Sequence, residues 1–169
     1  IVWVKSMLDI LIVEDNKEIG TLLCDFLRKE NYAVSIADTG EKAMALYEKY
    51  GAKLIVLDIM LPGMDGFAVC SKIRETSNTH ILIASAKVEK NDKLKGLNLG
   101  ADDYIEKPYD IDILIAKIKG IFKRKYGQEE IVEGNLRLNT VQQSLFVDGQ
   151  KKDITEKEFE LLKLLIENK

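Results

Sequence analysis

The chain has few cysteines and no long apolar runs, which are the features that build disulfide-linked, metal-thiolate and membrane-spanning proteins. It contains only two cysteines, Cys24 and Cys70, and both lie in segments whose apolar spacing predicts amphipathic helices. This pair suggests neither a disulfide framework nor a metal site, so we expect a reduced, cytoplasmic setting. The apolar runs are of strand length, well short of the roughly 20 residues that a membrane-spanning helix needs, so we expect no membrane contact. Residues 1–6 do not have the charged-then-apolar pattern of a secretion signal, so we expect no secretion.

The chain has no excess of basic over acidic residues, and histidine is scarce. The formal net charge is −3, and neither side of Gly127 has a basic excess, so no nucleic-acid surface is indicated. The single histidine, His80, falls at the predicted start of a strand, and we assign it a structural role. Residues 1–6 precede the first methionine, Met7, and we interpret them as a leader or an added remnant, with a short extra strand as the alternative.

Short apolar runs and amphipathic stretches alternate through the first three quarters of the chain. Five strands interleaved with five helices predict right-handed crossovers, and hence an α/β fold with a five-stranded parallel sheet, doubly wound like flavodoxin. The predicted strands are Leu8–Val13, Ala33–Ala37, Leu54–Asp58, His80–Ser85 and Tyr104–Glu106. The predicted helices are Lys17–Glu30, Gly40–Tyr50, Gly66–Thr76, Asp92–Leu99 and Asp110–Lys125.

The alternation ends near Tyr126, which predicts a domain over residues 7–126, a linker at 127–130 and a second region at 131–169. Three antiparallel strands are expected in that region, with an Asp148-Gly149 hairpin turn. Thr155 and Glu158 have the spacing of a capping box at the start of a helix. This small sheet and single helix predict a truncated α+β domain. The three strands are predicted at Ile131–Leu138, Ser144–Val147 and Lys151–Ile154.

Polar residues follow the predicted parallel strands at their C-terminal ends. Glu14 and Asp15 follow the first strand, Asp58 closes the third, and Ser85 and Lys107 close the fourth and follow the fifth. Because the C-terminal ends of parallel strands meet at one edge of the sheet, these groups are expected in one crevice. An acidic pair, a lone aspartate, a hydroxyl and a lysine are the groups that handle a phosphoryl group.

Crowded carboxylates require a cation, and magnesium suits a few carboxylates, a carbonyl and water. We expect Asp15, Asp58 and the main-chain carbonyl of Met60 as ligands, with Glu14 acting mostly through water. The alternative for Glu14 and Asp15 is that they merely cap the next helix, where the dipole favours carboxylates.

Each remaining site residue has a predicted role. A metal-bound Asp58 can attack a phosphoryl group and form an acyl phosphate. Lys107 can pair with Asp58 and then with the phosphoryl oxygens, and Pro108 behind it could form a cis bond that holds the lysine inward. The hydroxyl of Ser85 could reach a phosphoryl oxygen, or only satisfy backbone groups. Tyr104 could rotate when Ser85 moves, or be an ordinary strand aromatic.

Three motifs closely resemble the receiver domains of two-component response regulators. They are Ile10–Asp15, Val56–Gly66 and Gly100–Tyr109, and the resemblance covers about Met7 to Lys125. It implies that Asp58 takes a phosphoryl group from a histidine kinase, and that Asp15 and Asp58 bind magnesium. It also implies that Lys107 contacts the phosphoryl group and that Ser85 and Tyr104 relay its presence.

The second region looks like the start of a winged-helix DNA-binding domain of the OmpR/PhoB type. The later recognition helix and wing that grip DNA in that family are missing from this sequence, so we expect this chain alone not to bind operator DNA. The resemblance also implies a homodimer through the fourth helix, fifth strand and fifth helix. Ile113 replaces a common glutamate there, which predicts that Lys93 lacks its partner. Matching positions are Leu94, Leu97, Ala116, Lys93, Asp102, Asp103, Lys117, Lys119 and Arg124.

Three alternative functions stay open at this point. A haloacid-dehalogenase-type phosphatase or phosphotransferase also uses an aspartate, magnesium, a hydroxyl and a lysine, but it needs a second acid two residues after the nucleophile, where this chain has Met60. That difference predicts a phosphoacceptor, not a turnover enzyme. A flavodoxin-like cofactor binder would carry hydroxyl or glycine residues in place of Glu14 and Asp15. A phosphate-independent interaction module would not need the complete set of acidic, lysine and hydroxyl side chains at the strand ends.

Overall fold

A computed structural model describes residues 7–86, 90–126, 130–140 and 142–167. The chain divides into two compact units, Ile1–Leu114 and Ile115–Lys169, with the division inside one helix. The interpretation of residues 1–6, and positions 127–129 of the expected linker, lie outside the described residues. Among the described residues, every helix is too short or too polar to span a membrane.

The first unit contains the predicted five-stranded parallel sheet, which confirms the α/β fold. The strand order is β2-β1-β3-β4-β5, so the order reverses between β1 and β3. The observed ends differ from the predicted ones by a few residues; β3 starts two residues earlier and ends just before Asp58, and α4 starts at Lys90. In chain order the elements are β1 (Leu8–Val13), α1 (Lys17–Lys29), β2 (Val34–Ala37), α2 (Gly40–Tyr50), β3 (Ala52–Leu57), α3 (Gly66–Thr76), β4 (His80–Ser85), α4 (Lys90–Asn98), β5 (Asp103–Glu106) and α5 (Ile111–Tyr126).

The central strands form the rigid core of this unit. Leu11, Ile55 and Ile81 lie on adjacent strands, are fully buried, and join a cluster that includes Val69 and Ile73 of α3. Strands buried on both faces explain the near-continuous apolar runs of the sequence. A sheet held in this way fixes the positions of the residues that follow its strands.

The second unit contains a four-stranded antiparallel sheet and one helix. The strands are β6 (Glu130–Glu133), β7 (Leu136–Asn139), β8 (Ser144–Val147) and β9 (Gln150–Lys152), followed by α6 (Glu156–Glu167). The prediction of one strand over Ile131–Leu138 is wrong, because Gly134 and Asn135 form a turn that pairs Glu133 with Leu136. Glu130 belongs to β6 rather than to a linker, and the last strand ends at Lys152 rather than Ile154.

Two local predictions in the second unit are confirmed. Asp148 and Gly149 have φ values of 52° and 78° and join β8 to β9 as a tight hairpin. At the start of α6 the Thr155 amide donates to Glu158 Oε2 at 2.8 Å, and the Glu158 amide donates to Thr155 Oγ1 at 3.3 Å. The Thr155 hydroxyl also donates to Glu158 Oε2, at 2.6 Å, and this bond together with the bond from the Thr155 amide lowers the pKa of the Glu158 carboxyl. Phe159, 1 % exposed, is one of the buried apolar residues of this unit.

Candidate functional site

The acidic residues meet where the strand order reverses. Val13 of β1 and Leu57 of β3 are in register, so the residues that follow them, Glu14 and Asp58, emerge side by side. The Asp58 amide donates to the Val13 carbonyl at 2.9 Å, which ties the two strand ends together. This reversal point is the usual ligand site of an open parallel sheet.

Three carboxylates cluster at this point. Oxygen atoms of Glu14, Asp15 and Asp58 all lie within 4.8 Å of one another. Glu14 and Asp58 are 4 % and 6 % exposed, whereas Asp15 is exposed. Three oxygen donors with one solvent-facing member have the chemistry of a site for a hard divalent cation.

Lys107 is the cation that faces the two buried acids. Its Nζ donates to Asp58 Oδ2 at 2.6 Å and also forms an ion pair with Glu14 Oε2. Burial disfavours the ammonium, but the hydrogen bonds to Asp58 and Glu14 outweigh it and raise the pKa of Lys107. The Lys107 amide donates to the Ser85 carbonyl at 3.0 Å, and the Lys107-Pro108 bond is cis.

Glu14 has a different environment from the one expected from the sequence. It contacts Lys107 directly, and its Oε1 accepts a hydrogen bond from the Asn16 amide at 3.1 Å. The cap of α1 is Asn16, whose side chain accepts from Glu18 and Ile19. The interpretation of Glu14 and Asp15 as ordinary helix caps is therefore wrong. Nothing in two adjacent acids shows which one turns toward a lysine 93 residues away.

The loop after Asp58 is shaped around that residue. Asp58 Oδ1 accepts from the Met60 amide at 2.9 Å, which orients the carboxylate. Gly66 lies so close that an added Cβ would stand 2.3 Å from the Asp58 carbonyl oxygen. The sequence predicted Gly66 only as the first residue of a helix, although it is the position at which any side chain would displace Asp58.

Ser85 and Tyr104 lie on the neighbouring strands β4 and β5. Ser85 is fully buried at the end of β4, and Tyr104 pairs in register with Ile83. Burial, then the charges of Asp92 and Asp58, raises the pKa of Tyr104. His80 is at the opposite end of β4.

Lys93 has a partner other than the glutamate that Ile113 replaces, and the sequence did not indicate it. Lys93 Nζ forms an ion pair with Glu106 Oε1, and it lies 5.6 Å from the centre of the Tyr104 ring. Ile113, the residue that replaces the expected glutamate, is 62 % exposed. The ion pair forms inside one chain because Glu106 ends the strand beside α4.

Other residues of the expected dimer face divide into two groups. Leu94 and Leu97 are exposed on α4, whereas the carboxylate of Asp102 accepts hydrogen bonds within its own chain. Asp102 Oδ2 accepts from Arg74 Nη2 at 2.6 Å and from the Ile81 amide at 2.8 Å. Ala116, Lys117, Lys119 and Arg124 lie on the part of α5 that belongs to the second unit.

An apolar cavity of about 360 Å³, which the sequence did not indicate, includes Lys107 in its lining. Burial raises the pKa of Tyr109 in its wall to about 12, against the lowering effect of Lys107. The lining residues are Ile19, Leu22, Leu23, Ala86, Lys107, Pro108, Tyr109 and Ile111.

Comparison with known proteins gives consistent matches. The family described as "Response regulator receiver domain" matches residues 10–119. Sensory transduction protein RegX3 of Mycolicibacterium smegmatis is 35% identical over 169 residues, covering 96% of this chain and 74% of that protein. Response regulator ArlR of Staphylococcus aureus is 39% identical over 164 residues, with the same two coverages.

A solved structure extends the match to both units. It is DrrB, a response regulator of Thermotoga maritima described as an OmpR/PhoB homologue. It is 31% identical, with a TM-score of 0.63, and covers 96% of this chain and 73% of its own. The shared family, relatives and fold agree with the motifs that surround Asp58. The chain belongs to the response regulator receiver domain family and is a two-component response regulator of the OmpR/PhoB type.

Proposed function

We propose that Asp58 is the phosphoacceptor of this response regulator and that a histidine kinase supplies the phosphoryl group. The observation that carries the proposal is the buried Asp58 carboxylate, held 2.6 Å from Lys107 Nζ beside two further acids. A phosphoacceptor must be fixed in place and have its charge balanced, and Lys107 and the Met60 amide do both.

The residues present fit a magnesium ion. Asp15 and Asp58 would bind it through carboxylates, Met60 through its main-chain carbonyl and Glu14 through water, because these are the hard oxygen donors that magnesium prefers. Three clustered carboxylates face one lysine, which leaves a surplus of negative charge for a cation to balance. When bound, the ion would neutralise charge on the transferring group.

In the proposed transfer, an oxygen of Asp58 attacks the phosphorus of a phosphohistidine. A new P–O bond forms as the P–N bond breaks, and the histidine nitrogen leaves with the electron pair. Lys107 then contacts a phosphoryl oxygen, and Ser85 and Tyr104 respond to the new group. Met60 stands where a turnover phosphatase has its second acid, so the chain is proposed as a signalling acceptor and not as an enzyme.

The output is proposed to be a homodimer, which in the full-length protein would control transcription through the C-terminal DNA-binding domain to which the second unit belongs. Leu94, Leu97 and Ile113 are exposed apolar residues on α4 and at the start of α5. With Lys93 paired to Glu106 inside the chain, these three residues would make apolar contacts between copies. A phosphorylation-dependent shift in the population of the dimer-competent form would carry the signal.

The phosphoacceptor is tested by intact-mass spectrometry after incubation with a small phosphoryl donor and magnesium. The wild-type chain should gain one phosphoryl group, and Asp58→Asn should gain none. Asp25→Asn, which changes an exposed carboxylate on α1, is the matched control and should label like the wild type. Unchanged labelling of the Asp58 variant would contradict the proposal.

A further inference from the structure

The loop that connects β3 to α3 is fixed by its own hydrogen bonds at both ends. The Met60 amide donates to Asp58 Oδ1 at 2.9 Å, and the Leu61 and Gly66 amides both donate to the Ile59 carbonyl at 3.0 Å. Since Met60 supplies a proposed magnesium ligand from its main chain, the position of the loop matters for the metal.

A side chain from a different element reaches the middle of this loop. Glu41, in the first turn of α2, accepts a hydrogen bond from the Met64 amide through Oε1 at 3.1 Å. Its carboxylate also faces Gly63, where an added Cβ would lie 3.0 Å from Oε1. Gly63 has φ of +74°, a conformation that glycine adopts without strain. Glu41 thus contacts two successive loop residues.

The residue before Glu41 brings the helix and the loop together. A Cβ added to Gly40 would stand 2.6 Å from the Met64 carbonyl oxygen and 2.9 Å from Met64 Cβ. No larger residue fits there without moving one of the two backbones. The first turn of α2 is therefore packed directly against the loop, and the hydrogen bond from the Met64 amide to Glu41 adds a polar contact to this packing.

We propose that Glu41 is a positioning residue that holds the loop carrying Met60 and so sets the magnesium affinity of the site. The inference rests on the proposed function, because it requires magnesium to bind at Asp15, Asp58 and the Met60 carbonyl. It assigns a metal-related role to a residue that does not itself bind the metal. The hydrogen bond between the Met64 amide and Glu41 is exposed and competes with water. Its removal should therefore weaken magnesium binding without abolishing it.

Two simpler roles of Glu41 make different predictions. A carboxylate in the first turn of a helix interacts with the helix dipole, and a carboxylate near the crevice attracts any cation through space. Both effects depend on the negative charge, whereas positioning depends on an oxygen that accepts from Met64. Glu41→Gln removes the charge and keeps an acceptor oxygen, while Glu41→Ala removes both.

The test is a magnesium titration by calorimetry on the whole chain, without phosphoryl donor. Glu41→Ala should weaken magnesium binding roughly threefold to tenfold, the equivalent of one hydrogen bond. Glu41→Gln should stay within about twofold of the wild type. Glu48→Ala removes an exposed glutamate from the same helix and should change nothing. Thermal unfolding of each variant verifies that it is folded.

Amide hydrogen exchange in metal-free protein gives a second reading. The Met64 amide should lose protection in Glu41→Ala and keep it in Glu41→Gln. Equal magnesium affinity in Glu41→Ala and wild type would overturn the inference, and so would Glu41→Gln binding as weakly as Glu41→Ala. Asp15→Asn distinguishes the two proposals: if it binds magnesium like the wild type, the proposed metal site itself is wrong.

Discussion

At the scale of single residues, Lys107 has one role in the structure and a second that is proposed. It balances the buried charges of Glu14 and Asp58, and we propose that it also contacts a transferred phosphoryl group. The first function concerns stability in the resting protein, and the second concerns chemistry. Removing a partner from buried charges costs more than the pair itself contributes, because the remaining charges stay desolvated.

Lys107→Met should therefore destabilise the chain by about 3 kcal/mol in metal-free buffer at neutral pH, since Glu14 and Asp58 would remain buried without a counterion. Magnesium should restore more stability to this variant than to the wild type, because the ion would supply the missing positive charge. Chemical denaturation with and without magnesium measures both effects. An equal magnesium effect in the two proteins would contradict this account.

The same ion pairs predict an alkaline limit to this stabilisation. The folded pKa of Lys107 is raised, so its contribution is complete below the ordinary lysine pKa and is lost as pH rises through the raised folded value. The stability difference between wild type and Lys107→Met should thus be constant near neutral pH and shrink above about pH 10.4.

The sequence predicted which residues converge at the site and that Lys107 pairs with Asp58, but not that Lys107 also pairs with Glu14. Strand ends place Glu14, Asp58 and Lys107 at one edge by topology alone, which is why the set could be found in advance. The direct contact between Glu14 and Lys107 depends on side-chain rotamers. The role of Gly66 depends on the approach of one backbone to another. Neither property leaves a periodic signal in the sequence.

At the scale of secondary-structure elements, Arg74 joins α3 to the far end of the sheet. Its Nε donates to the Gly100 carbonyl and its Nη1 to the Thr79 carbonyl, both at 2.6 Å, and Nη2 pairs with Asp102. Asp102 also accepts from the Ile81 amide at the start of β4. One guanidinium thereby holds the turns before β4 and β5.

Arg74→Ala should destabilise the chain by about 3 kcal/mol, because it leaves three carbonyls, those of Ser77, Thr79 and Gly100, and the Asp102 carboxylate without this donor. Urea denaturation measures the loss. Lys72→Ala changes an exposed basic residue on the same helix and should cost less than about 0.5 kcal/mol. If both variants unfold at the same urea concentration, Arg74 does not have the joining role described here.

The sequence predicted the five parallel strands of the first unit but missed a short turn in the second unit. The five parallel strands were found because each is a nearly continuous apolar run between helix-length segments. The segment Ile131–Leu138 has apolar residues on both sides of Gly134 and Asn135, so its pattern predicts one strand. The turn requires a positive φ at Gly134, which is 60°, and it reverses the chain after only four residues of β6.

At the scale of the whole molecule, the proposed output is association of two copies. Size-exclusion chromatography with light scattering should show a shift from monomer toward dimer when a phosphoryl mimic and magnesium are added. Leu97→Asp should prevent the shift by placing a charge in an apolar contact. Leu22→Asp changes a similarly exposed leucine on α1 and should still dimerise. A strict monomer in both states would rule out this output.

Salt should have little effect on that dimer. Lys93 forms an ion pair with Glu106, and Asp102 with Arg74, so two charged residues of the expected dimer face are paired inside one chain. Apolar contacts do not weaken with ionic strength as exposed ion pairs do. A dimer that dissociated between low and high salt would instead indicate charge pairs between copies.

The ion pairs of Lys107 also limit how much activation changes the net charge of the crevice, and therefore the electric field at a distant partner. Three carboxylates and one ammonium leave the crevice about two charges negative, a divalent ion would cancel them, and an acyl phosphate would add about one more. In a chain of net charge −3, the electric field far from the protein changes little between resting and activated forms. Activation should then leave the rate of encounter with charged partners nearly constant and act on how long each complex lasts.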